Sequence, residues 1–216
     1  MDKVEVKFGK WIEDGFNLYK KNFGLLVLSS LIAVVISAVS FGILAGPMLA
    51  GILLITIKLF DEQEPKPEVG DVFKGFSYFL QSFLFVFLWG IALCVISFIL
   101  ALVPCIGQLI SLAIVFFAQA FLMFGLFLIV DQNMEFWPAS MESINKVKTN
   151  IWPFLGFAVV SSLIGGIGGI ACGIGVALTL PIQACMLTVA YREVFSMVQT
   201  STITEKPPDT DSNKSS

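Results

Sequence analysis

Charged residues are missing from three long stretches of the chain, residues 22–57, 75–130 and 149–191. These uncharged blocks contain 36, 56 and 43 residues. A helix needs about 20 apolar residues to cross a hydrocarbon core of about 30 Å, so each block is too long for one membrane span and suits two. Because backbone groups cannot stay unpaired in lipid, each block is predicted to form a helix, a tight turn and a second helix.

Helix-breaking residues inside each block indicate where its two helices meet. The first block contains Gly46-Pro47, the second contains Pro104, and the third contains the glycine-rich run 165–175 with Pro181 beyond it. Charge returns about ten residues after Pro47 and Pro181, so the second and sixth spans are either short or begin upstream of the proline. The predicted fold class is an all-α integral membrane protein with six transmembrane helices arranged as three helical hairpins. The hairpins cover about 23–57, 78–130 and 151–191 of one domain, 1–198, and a polar tail, 199–216, is predicted to be disordered.

An amphipathic segment precedes each predicted hairpin. An interfacial helix is predicted over 7–22, with its lysines on one face and its apolar residues on the other, and such a helix lies in the plane of the lipid headgroups. Weaker versions of the pattern occupy 69–80 and 137–151, so we expect an interfacial helix and a hairpin to repeat three times. The apolar face of the first helix is formed by Phe8, Trp11, Ile12, Gly15, Phe16 and Tyr19, and it continues to Phe23.

The positive charges predict the orientation in the membrane. All 13 Lys and Arg residues lie in the four segments 1–21, 58–74, 131–148 and 192–216, and three hairpins would place these segments on one side. Lys and Arg accumulate on the cytoplasmic side of membrane proteins. The chain is therefore predicted to be a multi-pass protein of the bacterial cytoplasmic (inner) membrane with both termini and all three interfacial helices cytoplasmic.

The composition excludes several classes of function. The chain is 56% hydrophobic and 13% charged, whereas soluble domains are about one quarter charged. The net charge of −3 offers no basic surface for nucleic acid, and the absence of histidine removes the commonest general base and metal ligand. We therefore predict no catalytic residues, no cofactor and no metal site, and we interpret the acidic run 61–71 as a solvated loop.

Small and polar residues within the uncharged blocks are the remaining candidates for helix packing, for turns and for polar contacts inside the membrane. Gly165, Gly169 and Gly173 recur every four residues and predict close helix packing, while Pro47, Pro104 and Pro181 are turn candidates. Gln108, Gln119 and Gln183 are polar intramembrane candidates that either form hydrogen bonds between helices or line a neutral pathway. The cysteines are predicted to be inert thiols in apolar surroundings, and only the oxidation state of Cys105 is left open.

Several short motifs along the chain carry a resemblance, namely Gly15–Gly24, Gly46-Pro47-Met48, Gly70–Phe76, Ile129–Asp131, Ala139, Ser143–Trp152 and Ala190–Phe195. Together they resemble a bacterial family, the six-helix membrane domain found ahead of some glycerophosphoryl diester phosphodiesterases and its stand-alone relatives. The resemblance covers about residues 5–198. In the fused relatives a separate soluble domain carries the catalysis, so the resemblance implies a fold and a location but no activity.

Three hypotheses for the function follow. The first is a non-catalytic scaffold or accessory subunit that contacts membrane lipids and either a cytoplasmic protein partner or further copies of itself. The second is a lipid or small-molecule permease with a neutral pathway, which requires a groove containing Gln108, Gln119 or Gln183. The third is a membrane-shaping protein whose short first hairpin inserts as a wedge.

Overall fold

The computed structural model describes residues 7–103, 106–170 and 174–204, and within these ranges the chain is helical and contains no β-strand. Among these described residues, two helices are long and apolar enough to cross a membrane, or up to four if each sharply bent pair counts as one span. The helices are α1 (Phe8–Lys21), α2 (Phe23–Val39), α3 (Ala45–Phe60), a 3-10 helix (Val69–Tyr78), α4 (Phe79–Ala101), α5 (Ile106–Leu122), α6 (Gly125–Gln132), α7 (Phe136–Lys148), α8 (Ile151–Ile170) and α9 (Ile174–Thr204).

Two sharp corners separate amphipathic helices from apolar ones. The chain bends by 90° between α1 and α2 and by 113° between α7 and α8. At the first corner Asn22 leaves the helical conformation, and its backbone N–H and side-chain amide donate to the carbonyls of Tyr19 and Leu18 at 3.2 and 3.1 Å. Asn22 therefore ends α1, and its own carbonyl accepts the first hydrogen bond of α2 from Leu26.

The second amphipathic segment differs from the other two. Residues 69–78 form the 3-10 helix, which continues into α4 as one apolar element of 33 residues, Val69–Ala101. Gly51 and Gly75 let this helix approach the backbone of α3, because a Cβ atom at either position would lie within 2.0 Å of a carbonyl oxygen. Close backbone packing thus holds this segment against α3, and the threefold repeat expected from the sequence is uneven.

The turn in the first uncharged block lies upstream of Pro47. The sequence predicts the break at this proline, but the chain reverses at 40–44, where Phe41 and Gly42 have positive φ angles of 52° and 84°. Pro47 belongs to the first turn of α3, where a missing backbone N–H breaks no helical hydrogen bond. The helix α3 therefore begins upstream of the proline, at Ala45.

Pro181 lies within α9 and not at a turn. A proline inside a helix leaves the carbonyl four residues earlier without its usual donor, which here is the carbonyl of Ala177. The hydroxyl of Ser30 on α2 donates to this oxygen, and both residues are buried. A neighbouring helix thus supplies the missing hydrogen bond, and α9 continues through the proline.

A helix break lies at residues 123–124, between α5 and α6. The sequence predicts one continuous helix here. Ser143 on α7 donates its hydroxyl to the carbonyl of Phe121 at 2.6 Å and accepts the N–H of Phe124 at 3.3 Å. One buried side chain therefore replaces the backbone hydrogen bonds that the break removes.

The apolar face of α1 packs mainly against protein. Trp11 is fully buried, and its ring meets Phe157 edge-on at 5.2 Å and stacks on Phe154 at 6.1 Å. A Cβ atom at Gly15 would lie 2.6 Å from the Cα of Met186, so α1 touches the backbone of α9. The predicted amphipathic pattern therefore serves packing on α8 and α9 at least as much as contact with lipid.

Candidate functional site

Among the described residues, a densely hydrogen-bonded polar group surrounds Arg192, in the second half of α9. Its guanidinium forms two hydrogen bonds with Asp131, at 2.8 and 3.0 Å, and two more with Asp61. Tyr191 donates its hydroxyl to Asp131 at 2.8 Å and accepts a hydrogen bond from Gln132 at 3.3 Å. We call these five residues the arginine cluster.

The arginine cluster joins helices that are distant in sequence. Asp61 caps the end of α3 and Asp131 lies in the last turn of α6. Arg192, Asp61 and Asp131 are each about one quarter exposed. Burial opposes the charged form of Arg192, but hydrogen bonds and charge interactions with both aspartates outweigh it, so the pKa of the guanidinium is raised. The cluster therefore connects the ends of α3 and α6 to α9 through hydrogen bonds to the Arg192 guanidinium.

Glu193, the next residue, ties α1 to the same end of the molecule. It accepts a hydrogen bond from the indole of Trp11 and forms an ion pair with Lys7 at 3.2 Å. All four charged segments thus meet at residues 192–193 of α9. Arg192 pairs with Asp61 and Asp131, and Glu193 pairs with Lys7. Each of these side chains pairs with a residue of another helix or segment, so the arrangement is suited to holding helices together.

A second candidate site is a cavity of about 380 Å³ between α3, α4, α5, α6, α8 and α9. Its walls are mostly apolar, but Gln119, Gln183, Ser161 and Ser162 also line it. The hydroxyl of Ser162 donates to the amide oxygen of Gln119 at 2.7 Å. Polar groups at one place in an otherwise apolar cavity can orient an amphipathic molecule.

Two of the three predicted glutamines reach this cavity, and the third does not. Gln183 occupies the space left by Gly165, because a Cβ atom there would lie 2.3 Å from its amide oxygen. Gln108 lies near the start of α5, is exposed and does not line the cavity. The structure thus brings Gln119 and Gln183 together with two serines that the sequence does not single out.

Part of the predicted glycine strip lies at the contact between α8 and α9. The carbonyl of Gly165 accepts a hydrogen bond from Thr179 at 2.8 Å, and a Cβ atom at the neighbouring Gly168 would lie 2.1 Å from the same hydroxyl. Gly169 belongs to α8. Two of the predicted candidates, Pro104 and Gly173, lie outside the described residues, as does Cys105.

Sequence reasoning missed most of the arginine cluster. The sequence pattern placed Asp131 and Arg192 directly after uncharged blocks and Asp61 in a solvated acidic loop, and it paired none of them. The available signal was that each of these charges stands at or beside the edge of an uncharged block, where helix ends on one side of a membrane can meet. Pairing between them requires the fold.

Within the described part of the chain, no group of three or more acidic or cysteine side chains is placed to hold a metal ion. Among those residues Cys185 is a buried free thiol and Cys94 an exposed one. Compared with known proteins, the chain matches no family model, no curated protein and no solved structure.

Proposed function

We propose that this chain is a non-catalytic scaffold or accessory subunit of the bacterial cytoplasmic membrane, with six spans, three helical hairpins and both termini in the cytoplasm. The network around Arg192 and Glu193 carries the proposal. Arg192 and Glu193 pair with charged residues of the other three charged segments, which supports a fold in which both ends of each uncharged block lie at one end of the molecule. Charged groups are disfavoured in lipid, which supports placing this end in the cytoplasm together with the positive charges.

The resemblance to the membrane domain of glycerophosphoryl diester phosphodiesterases belongs to the same proposal. In this interpretation the helices carry no chemistry themselves and position a partner at the membrane. Purification of the full chain in mild detergent from its native membrane should recover a defined cytoplasmic protein or a homo-oligomer. Turnover of a phospholipid or nucleotide by the purified chain alone would contradict the proposal.

Cysteine accessibility tests the topology. In a background without the natural cysteines, Phe41→Cys in the turn after α2 should react in intact cells with a membrane-impermeant maleimide. Lys66→Cys, in the loop after α3, should react only after permeabilisation. If both positions react only after permeabilisation, the first hairpin does not cross and the topology proposal fails. That outcome would favour the membrane-shaping wedge, because α2 and α3 contain only 17 and 16 residues, about 26 and 24 Å of helix.

The cavity that contains Gln119 and Gln183 favours a second function, a permease for a lipid or small molecule. A neutral pathway requires water to reach these groups. In the cysteine-free background, Gln183→Cys should then react with a small, charged methanethiosulfonate reagent in permeabilised membranes. Leu163→Cys is the matched control, because Leu163 is 57% exposed on α8 but would face lipid. If Gln183→Cys reacts no faster with the reagent than Leu163→Cys does, water does not reach Gln183 and the neutral pathway is excluded.

A further inference from the structure

A polar cleft of about 300 Å³ lies where the α1–α2 corner meets the end of α3 and the loop that follows it. It shares no residue with the arginine cluster or the cavity. Three lysines and two glutamates line it, namely Lys21, Lys58, Lys66, Glu62 and Glu64. The N-terminus of α2, which carries the positive end of a 17-residue helix, begins directly after Asn22 in its wall.

Most of these charges are already paired, and the remaining ones have opposite signs. Lys21 lies 3.5 Å from Glu62, and Lys58 lies 3.5 Å from Asp71. Among the described residues, Lys66 and Glu64 form no ion pair. The cleft therefore offers one unpaired ammonium and one unpaired carboxylate, which match a ligand that carries both charges.

Apolar side chains adjoin the cleft. Phe23 follows Asn22 and is 49% exposed, while Phe60 follows Leu59 and is 37% exposed. At this corner α1 turns by 90° into the apolar helix α2, as expected where a helix on the membrane surface enters the bilayer. Two exposed rings thus directly follow residues of the cleft in the chain, which suits a ligand with a charged headgroup and apolar chains, as in a phospholipid.

We propose that this cleft binds the headgroup of a zwitterionic phospholipid with a primary ammonium, of the phosphatidylethanolamine type. Lys66 binds the phosphate, Glu64 binds the ammonium, and the acyl chains run along Phe23 and Phe60. Two adjacent opposite charges on the ligand match the unpaired pair better than a purely anionic headgroup, which Glu64 would repel. The proposal goes beyond the scaffold function and depends only on the α1–α2 corner lying at the membrane surface.

Lipid retention by the purified full chain tests the site. In native mass spectrometry from mild detergent, with equal amounts of phosphatidylethanolamine and phosphatidylglycerol, the wild type should retain mainly phosphatidylethanolamine. Lys66→Gln should lower this retention about threefold, the effect of losing one exposed charge interaction. Glu64→Gln should lower it similarly and raise the retention of phosphatidylglycerol. The control Lys10→Gln, an exposed lysine of α1 outside the cleft, should change neither.

Three outcomes would overturn the proposal. The wild type could retain both lipids equally, or retention could be the same in the Lys66→Gln, Glu64→Gln and Lys10→Gln variants. Binding of soluble O-phosphoethanolamine without any lipid retention would assign the same chemistry to a free metabolite. Elution of each variant at the wild-type position in gel filtration excludes misfolding as the cause of a loss. Lipid retention is measured in detergent and does not depend on how the chain is oriented in a bilayer. The lipid-binding proposal can therefore fail while the topology proposal holds, and the topology proposal can fail while the lipid-binding proposal holds.

Discussion

Single hydroxyl groups stabilise the helix irregularities of this protein. Ser30 donates to the carbonyl that Pro181 leaves without a partner, and Ser143 bridges the break between α5 and α6. A buried polar group that loses its partner costs about 1–3 kcal/mol, and hydrogen bonds between membrane helices contribute about 0.6 kcal/mol on average. Each of these two serine hydroxyls is therefore expected to contribute to the free energy of unfolding.

Ser30→Ala should lower the free energy of unfolding by about 1 kcal/mol, because the Ala177 carbonyl then stays buried without a donor. Ser29→Ala is a matched control, since the neighbouring Ser29 hydroxyl is buried without a hydrogen-bond partner in the structure. Unfolding in mixed detergent micelles, followed by tryptophan fluorescence, measures both changes.

A double-mutant cycle identifies the cause. Pro181→Ala restores an N–H that can donate to Ala177 within α9, so Ser30→Ala should cost less in that background. If Ser30→Ala costs the same with and without the proline, the hydroxyl does not compensate for Pro181.

At the scale of elements, glycines decide how closely the helices pack. Gly51 on α3 faces the backbone of the 3-10 helix at Val72, and Gly75 faces Pro47 in return. Neither contact involves the end of a flexible side chain that could move aside. Packing through backbone atoms is the common solution between membrane helices, where the surrounding lipid gives no hydrophobic driving force.

Gly51→Ala should destabilise the fold by about 1–3 kcal/mol, because its methyl group would overlap the Val72 carbonyl, 1.8 Å from the position of the new Cβ atom. Gly70→Ala, in the same 3-10 helix, is the control, because no atom lies within 4 Å of its Cβ position. Thermal unfolding in detergent compares the two variants, and equal melting temperatures would disprove the close contact.

At the scale of the whole molecule, the arginine cluster closes one end of the helix bundle. Arg192→Gln should lower the free energy of unfolding by about 1–3 kcal/mol, less than for a fully buried pair because the three side chains are partly exposed. Lys21→Gln breaks the fully surface-exposed pair with Glu62 and should cost at most about 0.5 kcal/mol. Denaturant titration in detergent measures both.

The loss should depend on the carboxylates left behind. Adding Asp131→Asn to Arg192→Gln removes one unpaired negative charge, so the double variant should be more stable than Arg192→Gln alone. A double variant with the sum of both single losses would show that the two residues do not interact.

The sequence by itself determined the all-helical character of the chain and its apolar, membrane-type helices. Long runs without charge have few stable alternatives, since in lipid only a helix satisfies its own backbone hydrogen bonds. The helix over residues 8–21 also follows from its pattern, because a 3.6-residue period is a local property. The same period does not say what covers the apolar face, and Trp11 is covered by α8.

The tertiary structure alone decided where the breaks fall and which polar groups meet. The helix α9 continues through Pro181 because Ser30, about 150 positions earlier in the chain, donates a hydrogen bond to the Ala177 carbonyl that the proline leaves without a donor. No local sequence pattern indicates such a contact. The meeting of Arg192 with Asp61 and Asp131 and of Gln119 with Ser162 likewise depends on helix packing. Backbone hydrogen bonding within a helix is local and readable from sequence, whereas side-chain pairing between helices is set by their packed geometry.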